Sequence, residues 1–191
     1  MSTLSKNQAA RRERVLRVAQ QLAASGGYGA VQMRTVASNA DVALGTLYRY
    51  FPSKEYLLVA TMIEHVTDLA ERLAKKPAAG KTPEARVSDV VKRATKSLQR
   101  DKQATGAMVK ALVAAEPRAA ELVREVSTLL TEIITHAARP GAPSERDATA
   151  ARVLQQVWLA SLVGWIGGVD TPGKVNEDLE TATRLLFGAR R

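Results

Sequence analysis

Apolar residues recur at intervals of three and four along nearly the whole of this 191-residue chain. Nowhere do they alternate one-by-one with polar residues over the length of a strand. That periodicity places one apolar stripe on each of a series of helices and leaves no material for a sheet, so the predicted class is all-α. Composition agrees: alanine is plentiful and aromatic residues are only 4% of the chain, which favours helix over strand.

The periodicity predicts nine helices, three at the front and six after. The first follows Ser5 or Asn7 as a possible cap, carries the stripe Val15, Val18, Ala19, Leu22, and stops at Gly26-Gly27. Two short helices follow, around Met33–Ala40 and Leu44–Phe51, before Pro52-Ser53. A long helix from Lys54 carries Leu58, Met62, Val66, Leu69 and Leu73. Thr82-Pro83-Glu84 is a strong helix start, with a cap, a proline at the first helical position and then an acid. A shorter helix around Met108–Leu112 and a broad apolar one from Leu122 to Ile134 come next. The loop through Pro140, Gly141, Ala142 and Pro143 leads to Ser144-Glu145-Arg146-Asp147, which resembles a capping box. Asp170-Thr171-Pro172-Gly173 turns the chain into the last helix. The domain organisation expected is 1–53 as one unit and 54–191 as a second, larger one.

Charge is distributed unevenly. Residues 1–55 carry eight Lys/Arg against three acidic residues, and the other 136 residues carry twenty against sixteen. A concentrated positive excess at one end is the footprint expected for a phosphate-rich partner, although a basic solvated face would look the same. The absence of cysteine excludes disulfides, thiolate chemistry and cysteine-based zinc sites. No signal peptide is visible, and no run approaches the ~18 apolar residues of a membrane span. A soluble, cytoplasmic protein without a membrane partner is expected.

Residues 31–54 read VQMRTVASNADVALGTLYRYFPSK. Two short helices joined by a tight turn describe a helix-turn-helix, whose second helix enters the DNA major groove. Val36, Ala37, Ala40, Val42 and Leu47 are suited to pack the unit inward. Leu44, Gly45, Thr46, Tyr48 and Tyr50 would then face outward, with Arg34 and Thr35 as further DNA-facing candidates on the preceding helix. Small or hydroxylated side chains let the helix sit deep in the groove, while tyrosine hydroxyls and Lys54 can reach phosphate oxygens.

The block from Val42 to Phe51, followed by Ser53-Lys54-Glu55 and Leu57-Leu58, resembles the signature of the TetR family of one-component bacterial repressors. The resemblance spans about residues 10–58, while the rest agrees in helix number and length. It implies that Leu44, Gly45, Thr46 and Tyr48 face bases or sugars, and that Tyr50 and Lys54 clamp phosphates. Asp41 stands where the family usually has glycine at the turn. Because Asp tolerates a left-handed backbone, the turn is expected to survive. Gln32 stands where Ser or Thr usually caps the helix and touches phosphate. Within the family the whole chain is most similar to actinobacterial repressors of sterol catabolism. That implies an inducer derived from a sterol such as cholesterol, as a coenzyme A thioester.

In the second half, an apolar ligand cavity would draw on Met62 and Val66 of the long helix, then Val91 and Leu98. Met108, Leu112, Leu130, Ile134 and Trp158 would complete its wall, although any one of them could equally be core. Trp165, with Gly164, Gly167 and Gly168 beside it, suggests a close helix crossing. The family pairs its last two long helices with their copies in a homodimer. Leu162, Trp165, Ile166, Leu179 and Leu186 are the candidates for that interface. His65 and His136 are isolated from each other and from paired carboxylates, so no metal site is expected. No cofactor is implied, and no phosphate loop, nucleophile elbow or HExxH motif supports an enzyme. The reading is a repressor that binds palindromic double-stranded operator DNA and is released by a hydrophobic small molecule. A helical adaptor binding nucleic acid without sequence preference is the alternative.

Overall fold

The computed structural model describes residues 6–141 and 143–189. Among them are nine α-helices, one short 3₁₀ turn (Pro117–Ala119) and no strand. The helices are α1 (Lys6–Ala30), α2 (Met33–Asn39), α3 (Leu44–Tyr50), α4 (Lys54–Lys75), α5 (Pro83–Gln99), α6 (Lys102–Val113), α7 (Ala120–Ala138), α8 (Glu145–Ile166) and α9 (Pro172–Phe187). Of the sequence expectations, the Ser5 cap and Ala142 of the loop lie outside the described residues. Asn7 lies inside α1 rather than ahead of it.

The start and stop signals act where the chemistry puts them. Gly26 and Gly27 break the helical path of α1, and Gly27 takes φ 66°, leaving a single turn before Ala30. Glycine is the residue for which that conformation costs least. A side chain at Gly27 would also collide with the amide end of Gln103 on α6, 2.7 Å from the Cβ position. Thr82 caps α5 through the Ala85 N–H, and Asp101 caps α6 through the Ala104 N–H. Ser144 and Asp147 form the reciprocal capping box at α8. Burial alone would raise the Asp147 carboxyl pKa, but two bonds from Ser144 and the Arg139 guanidinium at 2.9 Å hold it below the usual range.

The chain forms two compact units. The first runs to Glu64 and includes Asp101–Val123, and the second comprises His65–Arg100 with the chain from Arg124 onward. The expected boundary at 53/54 therefore falls inside the first unit. The reason is that the first half of α4, to Glu64, belongs with the front helices, and α6, which packs along α1, joins them as well.

In the first unit Val15, Ala19, Val31, Val36, Leu47, Phe51, Leu57 and Leu58 are all buried. In the second, α9 packs on both α5 and α8. Val87, Val90, Ile134, Leu154, Trp158 and Leu179 form its interior. The Arg86 guanidinium donates to the carbonyls of Ala137 and Ala138, each at 2.7 Å, and so caps the end of α7 from α5.

Within the single chain, Gly164 beside Trp165 serves the turn after α8. Gly164 accommodates the Asp170 side chain, and Val169 and Asp170 donate back to its carbonyl, so the run shapes the α8–α9 turn.

The seam between α5 and α9 holds a cavity of about 10 Å³ lined in part by Val91, Lys92, Asn176 and Leu179. Thr95 and Thr183 also line it, and both are buried with hydroxyls that have no hydrogen-bond partner among the described residues. A buried unsatisfied hydroxyl costs about 1–3 kcal/mol. Thr95→Val and Thr183→Val should therefore each stabilise the fold by about 1 kcal/mol, raising the melting temperature by roughly 2–4 °C at fixed protein concentration. A lowered melting temperature would show that these hydroxyls are satisfied in solution.

Candidate nucleic-acid interface

The α2–α3 turn is built from backbone bonds and one arginine. Ala40 N–H donates to Val36 O at 2.9 Å, and Val42 N–H donates to Ala37 O at 3.0 Å. Asp41 sits between them at φ 51°, the only non-glycine residue with positive φ among the described residues. The left-handed turn expected at that position is thus formed without the glycine. Arg14 of α1 reaches across and donates from Nε to Ala40 O at 2.7 Å, fixing the turn to the first helix. Gln32 makes no side-chain cap to α2, in line with its departure from Ser or Thr.

On α3 only Leu47 is fully buried. Gly45 and Arg49 are exposed, Leu44 and Thr46 half-buried, and Tyr48 is 46% exposed. A Cβ at Gly45 would meet nothing within 4 Å, so that side of the helix faces open space. Arg34 is exposed and Thr35 half-buried on α2.

Tyr50 departs from expectation. Its hydroxyl is buried and has no partner among the described residues, so in this conformation it does not reach outward to a phosphate. Its ring lies beside Phe51, with the Arg49 guanidinium 5.5 Å from the ring centre. Packing at the end of α3 has turned inward a side chain that helical phase alone placed on the outer face.

The positive charge is also partly neutralised within the unit. Arg12 pairs with Glu64 at 2.9 Å, and its guanidinium lies 5.8 Å from the Phe51 ring centre. Arg17 pairs with Glu13 at 2.7 Å. Lys54 donates to the Tyr28 carbonyl at 3.3 Å, and its ammonium sits 3.8 Å from the Tyr28 ring centre. The Tyr28 hydroxyl donates to the Glu55 carboxylate. Burial, then the Glu55 hydrogen bond and charge, push the Tyr28 hydroxyl up to about 12. Burial would raise Glu55 in turn, but bonds from Tyr28, its own backbone and Ser53, with the Lys54 charge, bring it below the usual carboxylate range. Sequence reasoning missed Arg14, Tyr28 and Lys110. A charge count signals Arg14, but its partner is a backbone carbonyl, which leaves no mark in a sequence.

The other predicted site residues fall into two groups. Met62, Met108 and Leu112 belong to the first unit, and Val66, Val91, Leu98, Leu130, Ile134 and Trp158 to the second. Leu98, Leu112 and Leu130 are half-exposed and the other six are buried. The Trp158 indole N–H is buried without a partner among the described residues.

Three of the five dimer candidates are corrected. Leu162, Trp165 and Leu179 are 6%, 5% and 2% exposed within the single chain, because the helix faces that carry them are spent on intramolecular packing. Ile166 and Leu186 stay half-exposed. The large apolar side chains left in solvent on α8 and α9 are Val153, Val163 and Leu185, the last 77% exposed. Val153, Leu185 and Leu186 line a groove of about 450 Å³ with Arg146 and Thr149.

His136 is exposed, while burial, with Arg72 nearby, lowers the pKa of His65. No group of three metal-ligating side chains comes together among the described residues. None of the described helices is long and apolar enough to cross a membrane.

The turn makes a testable statement about backbone strain. Asp41→Gly should leave the fold as stable or stabilise it by up to about 1 kcal/mol, whereas Asp41→Val should cost roughly 1–2 kcal/mol. Thermal melts of the two variants check this, and equal melting temperatures would contradict it.

Residues 15–61 match the bacterial regulatory proteins of the tetR family, and residues 80–186 match a tetracycline-repressor-like C-terminal domain. The HTH-type transcriptional repressor KstR of Mycobacterium tuberculosis is 39% identical over 184 residues, covering 96% of this chain and 84% of that protein. KstR of Rhodococcus jostii is 40% identical over 186 residues, covering 97% and 87%. Among solved structures, a TetR transcriptional regulator from Rhodococcus sp. RHA1 superposes with a TM-score of 0.88 at 34% identity, over 95% of this chain and 97% of that one. Thermus thermophilus FadR, solved with lauroyl-CoA, shares the fold at a TM-score of 0.73 and 24% identity, over 94% and 96%.

Proposed function

This chain belongs to the TetR family of bacterial transcriptional regulators and is similar to the KstR repressors over nearly its full length, and from that premise we propose that it represses genes of sterol or related lipid catabolism in the cytoplasm. It binds palindromic operator DNA as a homodimer and is released by a sterol-derived coenzyme A thioester. The observation that carries the DNA-binding part is the outer face of α3, where Gly45 opens onto free space beside Tyr48, Thr46 and Leu44. A helix with a bare face at a glycine and a short hydroxyl beside it approaches base edges closely. Arg34, Thr35 and Lys54 supply sequence-independent contacts at its border. The domain roles follow the helices: the front helices read DNA, and the rest binds ligand and pairs the subunits.

For the inducer, the supporting feature is the Trp158 indole N–H, a buried donor without a partner amid the apolar side chains of the second unit. Val91, Leu98, Leu130 and Ile134 are its candidate companions. Met62, Val66, Met108 and Leu112 are the candidates on α4 and α6. A ligand acceptor placed at that N–H would recover the cost of leaving it unsatisfied. By linkage, operator DNA must weaken inducer binding by the factor with which inducer weakens DNA binding. Selection of bound sites from random duplex DNA, followed by release with sterol-derived and fatty-acyl thioesters, tests the whole reading. Retention of unrelated DNA equal to that of the selected site at moderate salt would favour the adaptor instead.

Gly45→Leu should abolish operator binding while leaving the melting temperature unchanged or higher, because the site has room and leucine is the better helix former. Titration of labelled operator checks this, and normal affinity would remove α3 from the interface. For assembly, Val153→Glu with Leu185→Glu places carboxylates on exposed positions that a partner would bury. The dimer should weaken by ~3 kcal/mol or more, with the helical content of the monomer intact. Sedimentation showing an unaltered dimer would move the interface elsewhere.

A further inference from the structure

Tyr28 carries two cations on one ring. The Lys54 ammonium lies 3.8 Å from the ring centre, and the Lys110 ammonium of α6 lies 4.7 Å from it. Both distances are within the range of a cation–π contact. One carboxylate, Glu55, is bonded to the Tyr28 hydroxyl, so the cluster carries two positive charges against one negative. Lys54 is also the first residue of α4, where the helix dipole repels a cation and favours an acid such as Glu55. Lys54 thus sits where a second ammonium and a helix N-terminus both oppose it, and the Tyr28 ring and carbonyl hold it there. An arrangement that holds a cation against such opposition releases it readily to an anion.

We propose that Lys110 is a positioning residue for DNA binding: by sharing the Tyr28 ring it loosens Lys54, so that Lys54 transfers to a backbone phosphate while Lys110 remains on the ring. This rests on the reading of Lys54 as a phosphate contact. Lys110 itself touches no DNA. Its side chain is exposed, so its removal does not disturb the core. Without it the phosphate competes against a ring that Lys54 has to itself, and operator affinity falls.

The test is a mutant cycle read by operator affinity and its salt dependence. Lys54→Met should weaken binding and flatten the plot of log affinity against log salt by about 0.9 for each subunit. Lys110→Met should weaken binding roughly three- to ten-fold, the scale of a cation–π contact, with the salt slope and melting temperature unchanged. Lys110→Arg should keep wild-type affinity, since it retains a cation over the ring. Lys110→Met should have no further effect in the Lys54→Met or the Tyr28→Leu background. A salt slope that falls with Lys110→Met makes Lys110 a direct contact and overturns the proposal, as do additive losses or an unchanged affinity. If Lys54→Met changes neither affinity nor slope, the phosphate reading of Lys54 fails, and the proposal fails with it. If Lys54→Met behaves as stated and Lys110→Met does nothing, only the positioning role is lost.

Discussion

The reading head depends on the burial of Leu47 and Phe51, the latter between Arg12 of α1 and Tyr56 at the start of α4. Helices α2 and α3 have seven residues each, too few to persist in water, where isolated helices shorter than about 12–15 residues are marginal. Neither has a side-chain cap at its N-terminus. Their geometry is therefore a tertiary product, set by Val36, Ala40, Leu47 and Phe51, all at most 1% exposed. The Arg14 bond to the Ala40 carbonyl and the Arg12 contact with the Phe51 ring secure the turn and the far end of the motif from the same helix. The outward face of α3 is left free for another role because the fold buries only Leu47 of that helix.

The same packing decides how much of the basic excess is available to a partner. Arg12 and Arg17 are paired with carboxylates, Arg14 with a carbonyl and Lys54 with Tyr28. The two solvent-exposed ion pairs, Arg12–Glu64 and Arg17–Glu13, contribute little stability, on the order of 0–1 kcal/mol. They hold side chains in place, and their weakness lets them exchange partners. Net charge alone overstates the number of free cations facing DNA, and the structure shows which ones are committed.

Elements whose signals are local are legible in the residue order. The glycine stop of α1, the Thr82-Pro83 start, the Ser144–Asp147 capping box and the turn at Asp41 all act within a few residues of themselves. The inward face of α3 is legible from the spacing of Leu47 relative to Val36 and Ala40. Which apolar face of α8 and α9 stays exposed is not. Helix α8 carries apolar residues around much of its circumference, from Val153 and Leu154 through Trp158 to Val163 and Trp165. Periodicity cannot say which stripe α9 covers and which stays exposed. Leu162, Trp165 and Leu179 proved to be interior, and Val153, Val163 and Leu185 exterior. Tyr50 is a related case, since its helical phase points outward while in this conformation its hydroxyl is buried and its ring lies beside Phe51.

The sequence by itself determined the all-helical class, the number and order of the helices, the helix-turn-helix and the family, because each is written in residue types a few positions apart. Only the tertiary structure decided that α6 belongs with the front helices, that Tyr28 holds two lysines, and which sides of α8 and α9 remain open. Those outcomes join residues far apart in the chain or divide one apolar helix between two neighbours. They follow from which surfaces exclude water together, and a one-dimensional pattern does not contain that information.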